Sequence, residues 1–207
     1  MAQWEWLRER LEAELWDDVV VWVAGEDPAA PAWLEEMATL HPALRVIRAA
    51  RVPGAEPPWA WFPRARVEYA LAYPEEEPRV RFVGRPQGME LDLLVEEILA
   101  FSRHRRLLDP AAADAARAWQ GPHRLAVLTT PDCPQCSRTV RTAHALAREA
   151  AETVAWEVDL DAHPDLLRRL DIRGVPVTFA DDLRRDGPVP EWILAQLVAG
   201  LDRPVRS

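Results

Sequence analysis

The sequence predicts an α/β chain built from two tandem units, and three observations carry that expectation. Short apolar runs of strand type alternate with amphipathic helical segments. The same order of elements occurs twice, at a period of roughly one hundred residues. The chain of 207 residues, 49% of them hydrophobic, is long enough for one large core or two small ones.

In the first half, a helix over about residues 2–15 leads into "DVVVWVAG", a continuous apolar run of the kind a buried strand requires. "PAAPAWLEEMATL" reads as a helix opened by proline, and "LRVIRA" as a short strand. A Pro-rich loop with clustered aromatics, Trp59, Trp61 and Phe62, follows. These rings are expected to pack between the two units rather than form an exposed docking patch. "RVEYALAY" and "RVRFVG" read as strands joined by the turn "PEEEP", and "MELDLLVEEILAF" as the closing helix.

The second half opens at "LLDPAAADAARAW", where Asp109 can cap a helix that Pro110 starts. "RLAVLTT" is a strand and "QCSRTVRTAHALAREAAE" a helix. The strand "TVAWEVDL", a short helix "HPDLLRRL", the strand "VPVTFA" and the helix "PEWILAQLVAG" complete it. The expected units are residues 1–106 and 107–207.

Both cysteines of the chain, Cys133 and Cys136, fall at the strand-to-helix junction of the second half, in "LTTPDCPQCSRTV". Thiolate is the reactive form of cysteine, and the free N–H groups of a helix start favour it. Cys133 is placed to attack, and Cys136, one turn on, is on the same side and can resolve a mixed disulfide. Pro134 fixes one dihedral at no cost in hydrogen bonds, and Gln135 is neutral; these two occupy the positions that tune the potential. Asp132 opposes a thiolate while Arg138 and Arg141 favour it. Aligning the repeats puts Asp27-Pro28-Ala29-Ala30 in the place of Cys133-Pro134-Gln135-Cys136, so the first unit can do no sulfur chemistry. A closed metal site needs four ligands, and neither a second CxxC nor an HxxxH pair is present. Forty residues on, Gly174, Val175 and Pro176 open a strand, and Val175-Pro176 is a candidate cis bond beside the dithiol that could offer an edge to an extended substrate.

These motifs resemble a thioredoxin or glutaredoxin unit from Arg124 to Gly200, with Cys133 and Cys136 matching the dithiol and Pro176 the cis-proline. "TPDCPQC" with "VRTAHALA" is similar to the C-terminal active site of the two-unit protein disulfide oxidoreductases of thermophiles. "RFVGRPQGMELDLLVEEIL" resembles the end of their N-terminal unit, and also that of the N-terminal domain of the alkyl hydroperoxide reductase flavoprotein subunit. The resemblance implies two thioredoxin-like units, each a mixed central sheet flanked by helices, with activity only in the second. It implies protein disulfides as substrates, Gly174, Val175 and Pro176 with Pro134 and Gln135 as the surface that meets them, and no bound cofactor. Electrons would come from a thioredoxin-reductase-like flavoprotein. Two other outcomes stay open: a dedicated electron donor to a peroxiredoxin, and a tandem adaptor with vestigial thiols. The strand before the motif, "LAVLTT", lacks the buried acid of many thioredoxins, which leaves proton transfer from Cys136 to water or to a carboxylate such as Glu157 or Asp159. Replacement of the usual Gly-rich turn by "RRDGPVPEW" argues against a glutathione-specific role.

Composition narrows the setting. The net charge of −9 disfavours a nucleic-acid or anionic-membrane partner. The N-terminus has neither a basic nor an apolar signal region, and no apolar run could span a bilayer, so a cytoplasmic protein is expected. All 25 basic residues are arginine; with 19 prolines and no asparagine this suits a GC-rich, thermophilic source. His41, His104, His123 and His163 sit at element edges, and His144, about 12 Å along the helix from Cys136, is too far to serve that thiol.

Overall fold

A computed structural model describes residues 5–25, 29–64 and 67–201 of the chain. In the first half, α1 (Glu5–Glu14), β1 (Val19–Ala24), α2 (Ala29–Ala38) and β2 (Leu44–Ala49) precede a hairpin of β3 (Glu68–Ala72) and β4 (Val80–Val83), and α3 (Gly88–Ser102) follows. In the second half, α4 (Pro110–Arg117), β5 (Arg124–Thr129), α5 (Pro134–Glu149), β6 (Val154–Asp159) and α6 (Asp165–Arg169) precede a hairpin of β7 (Val177–Ala180) and β8 (Leu183–Asp186), closed by α7 (Glu191–Leu201). Asp27 and Pro28, half of the segment aligned with the dithiol, lie outside the described residues.

The repeat seen in the sequence is a repeat of pairing. β1 runs parallel to β2 and antiparallel to β3, which pairs antiparallel with β4. β5 runs parallel to β6 and antiparallel to β7, which pairs antiparallel with β8. The expected separate sheets are joined edge to edge: β4 pairs parallel with β6, giving one eight-stranded sheet in the order β2-β1-β3-β4-β6-β5-β7-β8. Joining removes one exposed edge from each half, and an unpaired edge is a liability.

Burial follows strand alternation. Val19, Val21 and Val23 of β1, Phe82 of β4, Leu125 and Val127 of β5 and Ala155 of β6 enter a core covered by α1 to α5 and α7. On the opposite face Ala126, Leu128, Trp156, Val158 and Phe179 enter a second core with Leu166 of α6. The Pro-rich loop of the first half completes that face. Trp59 stacks on Trp61 and Phe62, meets Trp156 edge-on at 6.0 Å, and donates from Nε1 to the Asp181 carbonyl at 2.7 Å. Trp61 lies 4.7 Å from Phe179. The loop thus stands where the second half has α6, and it covers its partner's sheet.

Asp109 caps α4, its Oδ1 accepting from Ala111 and Ala112 N–H at 2.8 and 3.1 Å, with Pro110 in the first turn. No helix among the described residues is long and apolar enough to cross a membrane.

Candidate active site

The dithiol sits where β5, buried along almost its whole length, gives way to α5. Cys133 is the N-cap of α5 in extended conformation, and Pro134 follows as its first helical residue. The Cys133 Sγ accepts the Cys136 N–H at 3.1 Å, and its carbonyl accepts from Cys136 and Ser137 at 3.1 and 3.2 Å. Cys133 and Cys136 are joined as a disulfide with their Cα atoms 5.2 Å apart. Cys136 is 2% exposed, Cys133 is half-buried, and Pro134 and Gln135 are exposed between them. One sulfur is therefore reachable and the other is screened. An amide already aimed at Cys133 Sγ favours its thiolate once the disulfide opens.

The second predicted segment is brought alongside. β5 and β7 pair antiparallel with Leu128 opposite Val177, and continuing that register sets Pro176 beside Thr129 and Val175 beside Thr130. The Val175-Pro176 peptide bond is cis. Gly174 is exposed, Val175 half-buried and Pro176 buried, its carbonyl accepting from Gly187 N–H at 2.8 Å. Arg173, Gly174, Val175, Arg184 and Asp186 line an open cleft of about 650 Å³ here.

The first half supplies a third wall. The start of α3 meets the loop before the dithiol: Met89 N–H donates to the Pro131 carbonyl at 3.1 Å. Glu90, in that same first turn, is 3% exposed, and its Oε1 accepts from Thr129 Oγ1 at 2.9 Å, at the end of β5. Glu157 of β6 reaches the same hydroxyl at 3.3 Å. Glu90, Glu157 and Asp159 line one narrow crevice with Gly84 and Pro86. Gly84 has φ +116°, and a Cβ there would lie 2.7 Å from Asp159 Cβ, so only glycine lets β4 close on β6 at this point.

Burial, and next the Asp159 carboxylate, push Glu90 from an ordinary 4.5 to about 8, against the hydrogen bonds from Thr129 and Gln87. Burial, and next Glu90, push Glu157 well above the carboxylate range, and burial raises Asp159. Glu157 and Asp159 were open candidates for a proton site from sequence alone; Glu90 was not. A signal for it exists: Glu90 and Glu97 share a helical face with Leu94, Ile98 and Phe101, so acids stand in an apolar stripe. His144 is fully buried and faces Glu97 at 3.8 Å. No cluster able to hold a metal ion occurs among the described residues.

No protein-family model and no curated protein matches this sequence. Solved structures do match. The N-terminal domain of alkylhydroperoxide reductase AhpF from Enterococcus faecalis superposes with a TM-score of 0.77 at 17% identity, over 94% of this chain and 98% of that one. A protein disulfide oxidoreductase from Aeropyrum pernix gives 0.76 at 20% identity, over 96% and 93%. Sso1120 from Sulfolobus solfataricus gives 0.65 at 14% identity, over 87% and 96%. The chain has the tandem thioredoxin fold. The likeness to the first two covers more than nine-tenths of each chain, so it spans both halves and not the dithiol half alone.

Proposed function

We propose that the protein is a cytosolic thiol-disulfide oxidoreductase acting on protein disulfides through Cys133 and Cys136. The observation that carries this is the half-buried Cys133 sulfur at a helix N-cap, receiving an amide hydrogen bond and covalently closed onto a screened Cys136. In the reducing direction the Cys133 thiolate attacks a substrate disulfide, forming a bond to one substrate sulfur and releasing the other as thiolate. Cys136 then attacks Cys133 Sγ, closing the internal disulfide and freeing the second substrate thiolate. Val175 and Pro176, with Gly174, Pro134 and Gln135, form the surface that holds the substrate chain. The tandem fold it shares with a named disulfide oxidoreductase supports this reading.

The first unit, residues 1–106, is the redox-inactive partner of the catalytic unit, residues 107–207. Its contribution is Glu90, brought to the strand end that carries the dithiol, where a carboxyl titrating near 8 can trade a proton with Cys136. Electrons come from an upstream dithiol flavoprotein of the thioredoxin-reductase type, and no bound cofactor is needed.

Cys133→Ser is expected to abolish reduction of insulin driven by dithiothreitol; retained activity overturns the assignment of the nucleophile. Cys136→Ser is expected to trap the natural partner as a mixed disulfide. A second reading, electron donation to a peroxiredoxin, is favoured by the likeness to the AhpF domain over 98% of that domain's length. It predicts much faster oxidation of the dithiol by a peroxiredoxin than by insulin, measured side by side. An adaptor with vestigial thiols predicts no reversible dithiol step in a redox titration.

A further inference from the structure

Two buried carboxyls compete for one hydroxyl at the end of β5. Thr129 Oγ1 lies 2.9 Å from Glu90 Oε1 and 3.3 Å from Glu157 Oε1, with the Val158 carbonyl at 3.4 Å. A hydroxyl carries one hydrogen, and an ionised carboxylate can only accept. If both acids were ionised, one of them would face an oxygen lone pair in a dry interior, at the full cost of an unsatisfied buried charge. At least one carboxyl must therefore carry a proton and donate it to Thr129.

The surroundings decide which one. Glu90 lies in the first turn of α3, where its carboxylate accepts from Gln87 N–H as well as from Thr129, and where helix amides favour an anion. Glu157 lies mid-sheet on β6 and has Thr129 as its hydrogen-bond partner. The ionisable groups facing the pair are Asp159 from β6, Asp161 from the turn after it and Glu97 from α3, all acids. His144 of α5 faces Glu97 rather than either member of the pair. Among the described residues no ion pair joins Glu90 or Glu157 to a cation. Two donors stabilise the anion of Glu90, and the anion of Glu157 has none to spare.

We propose that Glu157 is a permanently protonated positioning residue, whose O–H donates to Thr129 Oγ1 and so commits the single Thr129 hydrogen to Glu90, the acid that exchanges a proton with Cys136. This rests on the thiol-disulfide function proposed above. When a donor dithiol opens the disulfide, its thiolate sulfur bonds to Cys133 Sγ and the bond to Cys136 breaks. The electron pair leaves on Cys136 Sγ, which takes the Glu90 proton. Glu90 is left as a carboxylate held by Gln87 N–H and Thr129 O–H, and Glu157 keeps its proton throughout. Closure runs the same transfers backwards. Each half of the chain thus provides one acid, and Thr129 of the catalytic half is the hinge between them.

The test uses the full-length protein with its disulfide closed and no turnover. The side-chain carboxyl carbons of 13C-labelled glutamate are followed by NMR from roughly pH 5 to pH 10, Glu90 and Glu157 being assigned from Glu90→Gln and Glu157→Gln. Glu157 is expected to stay at the shift of a protonated acid through neutral pH while Glu90 switches near 8. Thr129→Val should raise the Glu90 step by about one pH unit, and Thr129→Ser should restore it. Glu157→Gln, which keeps a donor facing Thr129, should move the Glu90 step by less than about half a unit. The rate at which dithiothreitol opens the disulfide should follow the Glu90 step in each variant. The proposal is overturned by a carboxylate shift for Glu157 at neutral pH, by a fall of about one unit or more at Glu90 in Glu157→Gln, or by an unmoved step in Thr129→Val. If Thr129→Val does not fold, the Glu157 resonance of the unmodified protein decides alone. None of these titrations depends on insulin or peroxiredoxin activity, so their failure is separate from failure of the Cys133 assignment.

Discussion

Where β4 meets β6, charge is buried on both faces of the sheet, and the two faces treat it in opposite ways. On one face Arg81, 1% exposed, donates to Glu68 Oε1 at 3.2 Å and to the carbonyls of Pro78 and Pro53 at 3.2 and 2.6 Å. It also sits 5.4 Å over the Trp156 ring, whose Nε1–H donates to the same Glu68 oxygen. The charge is matched and its hydrogen bonds are made, which locks geometry. On the other face Glu90, Glu157 and Asp159 crowd together with no cation paired to them among the described residues, so burial raises all three and leaves Glu90 titrating near 8. The same two strands thus border a matched charge on one face and an unmatched group of acids on the other, and compensation is what separates them.

The largest break in this comparison is Arg81→Met. It should cost roughly 3–5 kcal/mol in a denaturant titration, because Glu68 stays buried without its cation. The Glu90 titration should not move; a shift there would show that the two faces are not independent. A third arrangement lies deeper in the acid face. Glu97 and His144 are fully buried 3.8 Å apart, and neither has a hydrogen-bond partner among the described residues. His144→Leu alone should lose about 2–4 kcal/mol, whereas Glu97→Leu with His144→Leu should be as stable as the unmodified protein or more so, by the same titration. A double variant as unstable as the single one would show that the pair contributes net stability.

These faces mark how far the sequence could be read. The CxxC at a strand end, the Asp109 cap, the repeated order of elements and the seat of Trp59, Trp61 and Phe62 all have local signatures, and the structure places them as expected. β8 was not legible, because "LRRD" is a short, Arg-rich edge strand with no apolar alternation. Nor was the β4–β6 pairing, which joins strands more than seventy residues apart and leaves no periodicity in either. Glu90 was missed for the same reason. Its meaning comes from Thr129 and Glu157, which only that pairing brings to it.

The contrast also predicts a pH dependence. Glu90 rises from 4.5 to about 8 on folding, so between those values the folded protein binds more protons than the unfolded one. Its stabilising contribution is fully present below the unfolded value and is lost as pH rises through the folded one. Glu157, raised well above its ordinary value by burial, and Asp159, raised by burial, add the same sign. The exposed Asp165, lowered by Arg169, acts in the opposite sense, at pH values below its ordinary 3.8. The urea midpoint should therefore fall as pH is raised from 4.5 to about 8, and Glu90→Gln should make that fall shallower, leaving the share of Glu157 and Asp159. An unchanged slope in Glu90→Gln would place the linkage elsewhere.

The smallest effect expected tests the contact that delivers Glu90. Gly88 opens α3 with φ +50°, and a Cβ there would lie 3.1 Å from Asp132 Oδ1 and 3.2 Å from the Pro131 carbonyl. Left-handed backbone costs an L side chain about 1–2 kcal/mol, so Gly88→Ala should lose that much in denaturant. Gly174 is the control, since a Cβ on it meets nothing within 4 Å, and Gly174→Ala should change stability by less than about 0.5 kcal/mol. The two glycines flank the dithiol from opposite halves of the chain. The crowded atoms at Gly88 belong to the loop just before Cys133, so the alanine is expected to ease α3 away from Pro131 and lengthen the Glu90–Thr129 contact. Gly88→Ala should therefore raise the Glu90 titration step, as loss of the Thr129 hydrogen bond does, while Gly174→Ala leaves it in place. Equal responses from the two would mean that the first half does not set the acid's position.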